Sequence, residues 1–353
     1  MIRSMRTLTR ITFLGLALLV ATAAPAAADN ARPGDYESEV TGITPAVDGV
    51  TATVEGGDAF IGLSVDPGHE VVVAGYQGEP YLRFLDDGTV QRNALSQATY
   101  LNEDRQGGGE IPPAASDYST AFLEGEPTAE PEWVDIATGG SYAWHDHRTH
   151  WMQEASPSVA RGEYVDGAYD PWRIPLEVDG TEATVEGRLL YAETTSPLPW
   201  IALAVAAAIV LGVVGRRAPV PVAAGALLVV SLAGLVSGRA EWSATPGGGN
   251  PLLWVLPAVA AVLAAVGLAF ARRAAGSVAV LAAVALLSGW ALLRFSVLTK
   301  PILPTSLPPA FDRATVALAL GTSLAAAYLV VTGGTLALPA LDDDEPRTPA
   351  TSG

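Results

Sequence analysis

"VDGTEATVEGRLLYAETTSPLPWIALAVAAAIVLGVVGRR", residues 178–217, changes character halfway along. The first part opens on Asp179-Gly180, a hairpin signal. "ATVEGRLLYAE" follows and largely alternates apolar with polar or small residues, the period of a strand with one buried face. From Leu198 the alternation stops, and an unbroken apolar run reaches Arg216-Arg217. A run of about 20 apolar residues is what a helix needs to cross the hydrocarbon layer. The chain therefore divides at residues 197/198 into a β-patterned part and a membrane part.

Downstream of that division, four more runs of spanning length occur, roughly over 218–238, 251–271, 274–294 and 314–338. Residues 198–338 thus read as an all-α bundle of five transmembrane helices. Their centres contain no Asp, Glu, Lys or His, the groups that ion relays through a membrane use. Their Ala and Gly content suits close helix packing, and Pro257 is the interior kink candidate. Residues 339–353, "LDDDEPRTPATSG" with its two preceding residues, read as a disordered polar tail.

Upstream, the N-terminus carries Arg3, Arg6 and Arg10, then an apolar stretch from Ile11 to Val20, then Ala26-Ala27-Ala28. Basic, apolar and small-residue regions in that order make residues 1–28 a signal peptide. It places residues 29–197 outside the cytoplasm. Five spans then return the C-terminus to the cytoplasm, at the plasma membrane. Arg216-Arg217 and Arg272-Arg273 fall on the inner side, as positive-inside bias requires.

The 29–197 segment holds 31 Asp and Glu against 8 Arg and no Lys. Such a surface repels nucleic acid, which excludes that class of partner. With no cysteine in the chain, thiolate metal sites and disulfides are excluded too. The runs "VTATVEG", "AFIGLSV", "EVVVAGY", "YLRFL", "IPLEV" and "ATVEGRLLYAE" are separated by Gly, Asp or Pro. That spacing predicts an all-β, sandwich-like domain. "DDGTV" at 86–90 supplies a second Asp-Gly hairpin signal. "VDGVTATVEG" at 47–56 resembles "VDGTEATVEG" at 178–187, so equivalent neighbours for the two strands are conceivable. The stretch from Gly107 to Glu132 reads as a long loop.

Three segments carry chemistry unusual for strands. "GEPYLRF" (78–84) sets Glu79 and Arg83 around a proline and aromatics. "ATYLNEDR" (98–105) ends on Asp104 and Arg105. "WHDHRTHWM" (144–152) holds three of the four histidines. These motifs, in this order and ahead of several spans, resemble an uncharacterised family of actinobacterial membrane proteins. The resemblance gives a family and no activity. A β-domain ahead of a helical bundle is also similar in architecture to fused CopC/CopD-type copper proteins, although the mature N-terminus at Asp29 lacks their N-terminal histidine ligand.

His145, His147, His150 and Met152 are the candidate metal ligands. Imidazole and thioether suit copper, with zinc the second choice. On a strand His145 and His147 share one face, so convergence with His150 and Met152 requires a bend near Arg148-Thr149. In this reading Asp146 orients an imidazole and Trp151 covers the cation. The spacing is also similar to the H-x-H-x-D-H motif of metallo-β-lactamases. Thr149 replaces its aspartate and no histidine follows His150, so the chain is not read as an enzyme.

The alternative is a buried polar network. Arg148 would then pair with Glu79 or Asp104, and Arg83 or Arg105 with Asp146. The chain would be a membrane-anchored structural or interaction module whose partner is another exported or membrane protein. The fourth histidine, His69, follows Pro67-Gly68 and reads as a turn residue.

Overall fold

The computed structural model describes residues 30–103, 105–125 and 130–333. The predicted signal peptide (1–28), Asp104 and the predicted tail (339–353) lie outside the described residues. Two compact units emerge, one running to Glu193 with Ser243–Asn250 added, the other Thr194–Trp242 with Pro251 onward.

The first unit is an antiparallel β-sandwich. Its larger sheet has the order β1 (Tyr36–Thr44), β11 (Thr181–Tyr191), β10 (Trp172–Val178), β4 (Val71–Ala74), β5 (Pro80–Phe84), β6 (Val90–Asn93) and β7 (Trp133–Ala137). A short β9 (Glu163–Tyr164) adds to β11. The smaller sheet is β2 (Val50–Glu55), β3 (Phe60–Val65) and β8 (Ser141–Trp144). Both sheets bury alternate residues, as period-two strands do. Val71, Val73, Leu82, Phe84, Ile174 and Val185 of one face meet Val50, Ile61, Leu63 and Val65 of the other in one core.

Both Asp-Gly signals are hairpin turns. Asp179 and Gly180 have φ of 50° and 77°, the left-handed pair that a two-residue β10–β11 turn demands. Asp87 caps the β5–β6 turn by accepting from the Thr89 amide at 2.8 Å. Gly187 has a packing reason. A Cβ there would meet the Trp172 ring at 2.1 Å and the Glu39 carbonyl at 2.2 Å. The bare backbone lets Trp172 lie fully buried on β11 and donate to Ser38 Oγ at 2.9 Å.

Two expectations change. The repeated turn-strand sequences have unlike neighbours: β2 pairs with β3 in the small sheet, whereas β11 sits between β1 and β10 in the large one. The supposed loop contains helix α2, Pro113–Glu124, after a short α1, Gln97–Leu101. Pro at the first helical position and Gly125 at φ 70° delimit α2. It buries only Ala115, Tyr118 and Ser119, too sparse an apolar stripe for its Gly/Pro-rich setting to reveal.

The second unit contains five helices long and apolar enough to cross a membrane: α3 (Leu198–Val214), α4 (Pro219–Ser243), α5 (Leu252–Ala269), α6 (Ala274–Leu293) and α7 (Pro309–Thr332). Their 18-residue windows have mean hydropathy between 1.9 and 2.4. Ile209, Val213, Val262 and Leu324 stay exposed on the outer faces, as lipid-facing residues do. The chain is a multi-pass membrane protein. Glycines set the helix spacing: a Cβ on Gly238 would strike the Leu253 carbonyl at 1.8 Å, and one on Gly321 the Ala204 carbonyl at 2.1 Å. Pro257 lies buried inside α5, as expected.

Candidate functional site

Strand β8 ends at Trp144, so the histidine segment is a loop. Asp146 makes the turn. Its Oδ1 accepts from the Arg148 amide at 3.1 Å, an Asx turn, while Thr149 donates through N (3.0 Å) and Oγ1 (2.9 Å) to the Asp146 carbonyl. The bend near Arg148-Thr149 exists, yet it separates the imidazoles rather than gathering all of them.

His145 stacks on Phe60, with ring centroids 4.1 Å apart, and its Nδ1 donates to the Ala59 carbonyl at 2.6 Å. His147 stacks on Tyr76 at 5.7 Å, and its edge meets His150 at 5.4 Å. The fully buried His150 donates from Nε2 to the Arg105 carbonyl at 2.9 Å. A carbonyl only accepts, so the proton sits on Nε2 and the Nδ1 lone pair is left buried, with no hydrogen-bond partner among the described residues. Burial and the nearby Arg105 charge pull the His150 pKa down to about 3, so this ring is neutral at physiological pH. Met152 is 39% exposed. Among the described residues, no three His, Asp or Glu side chains come together in a way that could hold a metal ion.

The carboxylate between the histidines is the centre of the segment. Asp146 is completely buried and holds Arg148 in a fork, Nε at 2.8 Å and Nη2 at 2.7 Å. Trp144 Nε1 adds a third side-chain donor at 3.0 Å. Burial opposes ionisation of Asp146, but the Arg148 charge and these hydrogen bonds outweigh it and hold the pKa below the usual carboxylate range. Arg148 also donates to the Ala74 carbonyl at 3.1 Å and lies over the Tyr76 ring at 5.0 Å. Tyr76 OH accepts from the His147 amide at 2.9 Å and donates to Asn102 Oδ1. Arg105 forks onto buried Asp58 at 2.5 and 2.8 Å. Burial still leaves the Asp58 carboxyl above its ordinary pKa.

The three motif segments thus meet, with pairings other than those expected. Arg148 takes Asp146 and backbone carbonyls rather than Glu79. Glu79, wholly buried, accepts from Ser96 Oγ at 2.7 Å and from the Gln77 amide at 2.9 Å. Arg105 takes Asp58 instead of Asp146. Arg83 bonds Gln91 at 3.0 Å and covers the Trp133 ring at 4.6 Å. Trp151 stacks between Tyr36 and Tyr169, at 6.2 and 5.4 Å, and donates to the Ala155 carbonyl. It covers no histidine. Asp104 lies outside the described residues. His69 bonds Asp179 at 2.7 Å across two turns.

Sequence reading missed Asp58, Tyr76 and Ser96, whose partners lie 17 to 71 residues away. It also missed an ion cluster at the ends of three helices. Arg294, at the end of the fourth apolar run, is 2% exposed. It donates to Ser237 Oγ and Glu241, and stands 3.6 Å from Asp312. Ser237 donates to Asp312, and the Arg294 guanidinium covers the Trp290 ring at 5.3 Å. The signal available was Glu241 and Asp312 placed inside apolar helices, each within one turn of an end.

Comparison with models of known families, with curated proteins and with solved structures returned no match. The architectural likeness to CopC/CopD-type proteins finds no support there.

Proposed function

We propose that this chain is a membrane-anchored structural or protein-interaction module, its β-rich unit facing outside the cytoplasm and its His/Asp/Arg cluster serving as a buried polar network. The observation that carries this reading is the commitment of the cluster to its own protein. His145 and His150 are spent on backbone carbonyls, and Asp146 is spent on Arg148 and Trp144. Ion pairs and hydrogen bonds committed in this way favour one arrangement of the three loops. That is what a recognition surface needs from its scaffold.

Copper handling, with zinc second, is the competing reading, and one observation favours it. Among the described residues the buried His150 Nδ1 lone pair has no hydrogen-bond partner, and the His147 ring lies beside His150. Two imidazoles suit Cu(I). Under that reading His147 and His150 are the pair best placed to share a cation, and His145 and Met152 are not beside them. Calorimetric titration of the full chain with Cu(I) and Zn(II), paired with melting of His147→Ala and His150→Ala, separates the readings. The module reading expects no saturable binding and a lowered melting temperature for His150→Ala. Stoichiometric copper binding lost in both variants would replace it. Orientation is checked by reporters fused after Gly353, where activity of a periplasm-type reporter would refute a cytoplasmic C-terminus.

A further inference from the structure

A cavity of 670 Å³ lies at the free edge of β8, the outermost strand of the small sheet. Its inner part opens between the two sheets. Strand register puts Tyr142 and Trp144 of β8 on the core side, opposite Leu63 and Ile61. Arg92 of β6 belongs to the large sheet, stands opposite Leu82 and so faces the core side as well. Helix α1 ends at this mouth and delivers Asn102, its C-cap. Arg92, Asn102, Tyr142 and Trp144 all line the cavity. The buried Tyr81 phenol ties them together. Its ring meets Trp144 edge-on at 6.4 Å. Burial raises its pKa, and the Asn102 amide, Tyr142 and Arg92 all lie near enough to act on it.

Three donors at this mouth have no acceptor. Of the eight arginines in the β-unit, five hold a carboxylate and Arg83 holds Gln91. Arg92 is half-buried and makes no hydrogen bond or ion pair among the described residues. A guanidinium placed so carries a desolvation cost that an anion would offset. Asn102 is 8% exposed, and its Nδ2 has no hydrogen-bond partner among the described residues. The amide cannot turn to escape this. Tyr76 OH accepts from the His147 amide, so its own proton goes to Asn102, which fixes Oδ1 on that side and Nδ2 on the other. The Tyr142 hydroxyl is the third donor and makes no hydrogen bond among the described residues. Burial raises its pKa against the opposing Arg92 charge, so the phenol keeps its proton. The exposed Glu103 carboxylate also lines the cavity and pairs with none of the three.

We propose that this mouth binds a carboxylate, with the Arg92 guanidinium forking its two oxygens and Asn102 Nδ2 and the Tyr142 hydroxyl as further donors. The charge of the site selects the class. One guanidinium with Glu103 on the same lining suits a single negative charge, and a doubly charged phosphate would be left partly unmatched. A planar carboxylate also fits the fork of a guanidinium. Tyr142 stacks on Trp144 with centroids 6.5 Å apart and planes within 9°, which gives the body of the ligand an aromatic wall. The carboxylate comes either from a small aromatic or apolar acid or from the C-terminus of a polypeptide. The site does not depend on how the histidine loop is used.

The test uses the full chain in nanodiscs, read by calorimetry. The probes are benzoate for the small acid and N-acetylphenylalanine for the chain end, each against its uncharged amide. Saturable binding of one carboxylate per chain is expected, with each amide at least about tenfold weaker, or ~1.4 kcal/mol. The tighter of the two acids identifies the source. Arg92→Gln should weaken the preferred acid at least about tenfold without lowering the melting temperature, because Arg92 holds nothing in the fold. Asn102→Asp keeps the acceptor for Tyr76 and sets a carboxylate against the ligand, so it should abolish binding. Equal affinity for acid and amide would overturn the proposal. So would phosphate binding tighter than both acids, or no saturable heat with either. Arg92→Gln with a lowered melting temperature and unchanged affinity would make Arg92 structural and also overturn it. The comparison of acid with amide is made on the unmodified chain, so a variant that fails to fold does not rescue the proposal.

Discussion

Replacing Asp146 by asparagine keeps shape and removes one charge at the most connected point of the histidine loop. The carboxylate is wholly buried and takes two donors on each oxygen: Arg148 Nε and N on Oδ1, Arg148 Nη2 and Trp144 Nε1 on Oδ2. An asparagine amide must turn its NH2 toward one of those pairs, setting donor against donor in either orientation. The Arg148 side chain, 19% exposed, also loses its counter-charge. Removing one member of a buried pair costs about 3–5 kcal/mol. For a unit of this size that corresponds to a fall of roughly 6–20 °C in melting temperature. Tryptophan fluorescence of the full chain in nanodiscs follows it, since Trp144 touches the site. Arg148→Met should destabilise comparably, because it strands the carboxylate. The double change Asp146→Leu with Arg148→Met removes both charges and should recover most of the loss. A melting temperature for Asp146→Asn within about 2 °C of wild type, or ~0.5 kcal/mol, would refute the view that this pair ties the three segments together. Acid should act in the same direction. The folded pKa of Asp146 is depressed, so its stabilisation is complete above the unfolded value of about 3.9 and is lost as pH falls through the lower folded value.

His150 sets a second pH window. Its folded pKa of about 3 lies below the unfolded value of 6.5, so the unfolded chain takes up the proton first. Stability of the β-unit should fall between those values, by about 1.4 kcal/mol per pH unit at most. His150→Phe should flatten that slope, and an unchanged pH profile would remove His150 as its cause. In the bundle, Arg294→Met strands Glu241 and Asp312, 6% and 0% exposed, near one another. A loss of about 3–5 kcal/mol is expected in detergent melts, partly restored by adding Asp312→Asn. Equal melting of wild type and Arg294→Met would show that the cluster does not hold α4, α6 and α7.

What local pattern controls was legible in the sequence. The five spans follow from uninterrupted apolar length, because a lipid-facing helix satisfies its own backbone and needs only apolar side chains. The strand runs and both Asp-Gly turns follow from period two and from the left-handed backbone that Asp-Gly tolerates. Asp146, Arg148, Arg105 and Glu79 stand out in the sequence as polar residues unusual for strands, and each is held in hydrogen bonds or ion pairs. Their partners were not legible. Arg105 meets Asp58 across 47 residues and His147 meets Tyr76 across 71, contacts that exist because two sheets fold the loops together. A carboxylate one position from a histidine was read as its orienter, yet the Asx turn directed it to Arg148 instead. The β8 register, which no local propensity fixes, decided that Gly62 and Ala143 lie abreast. Charge placement in the bundle was decided the same way. Arg294, Glu241 and Asp312 look like three unrelated helix ends in the chain. Only the packing of α4, α6 and α7 excludes water from them together and makes each the counter-charge of another.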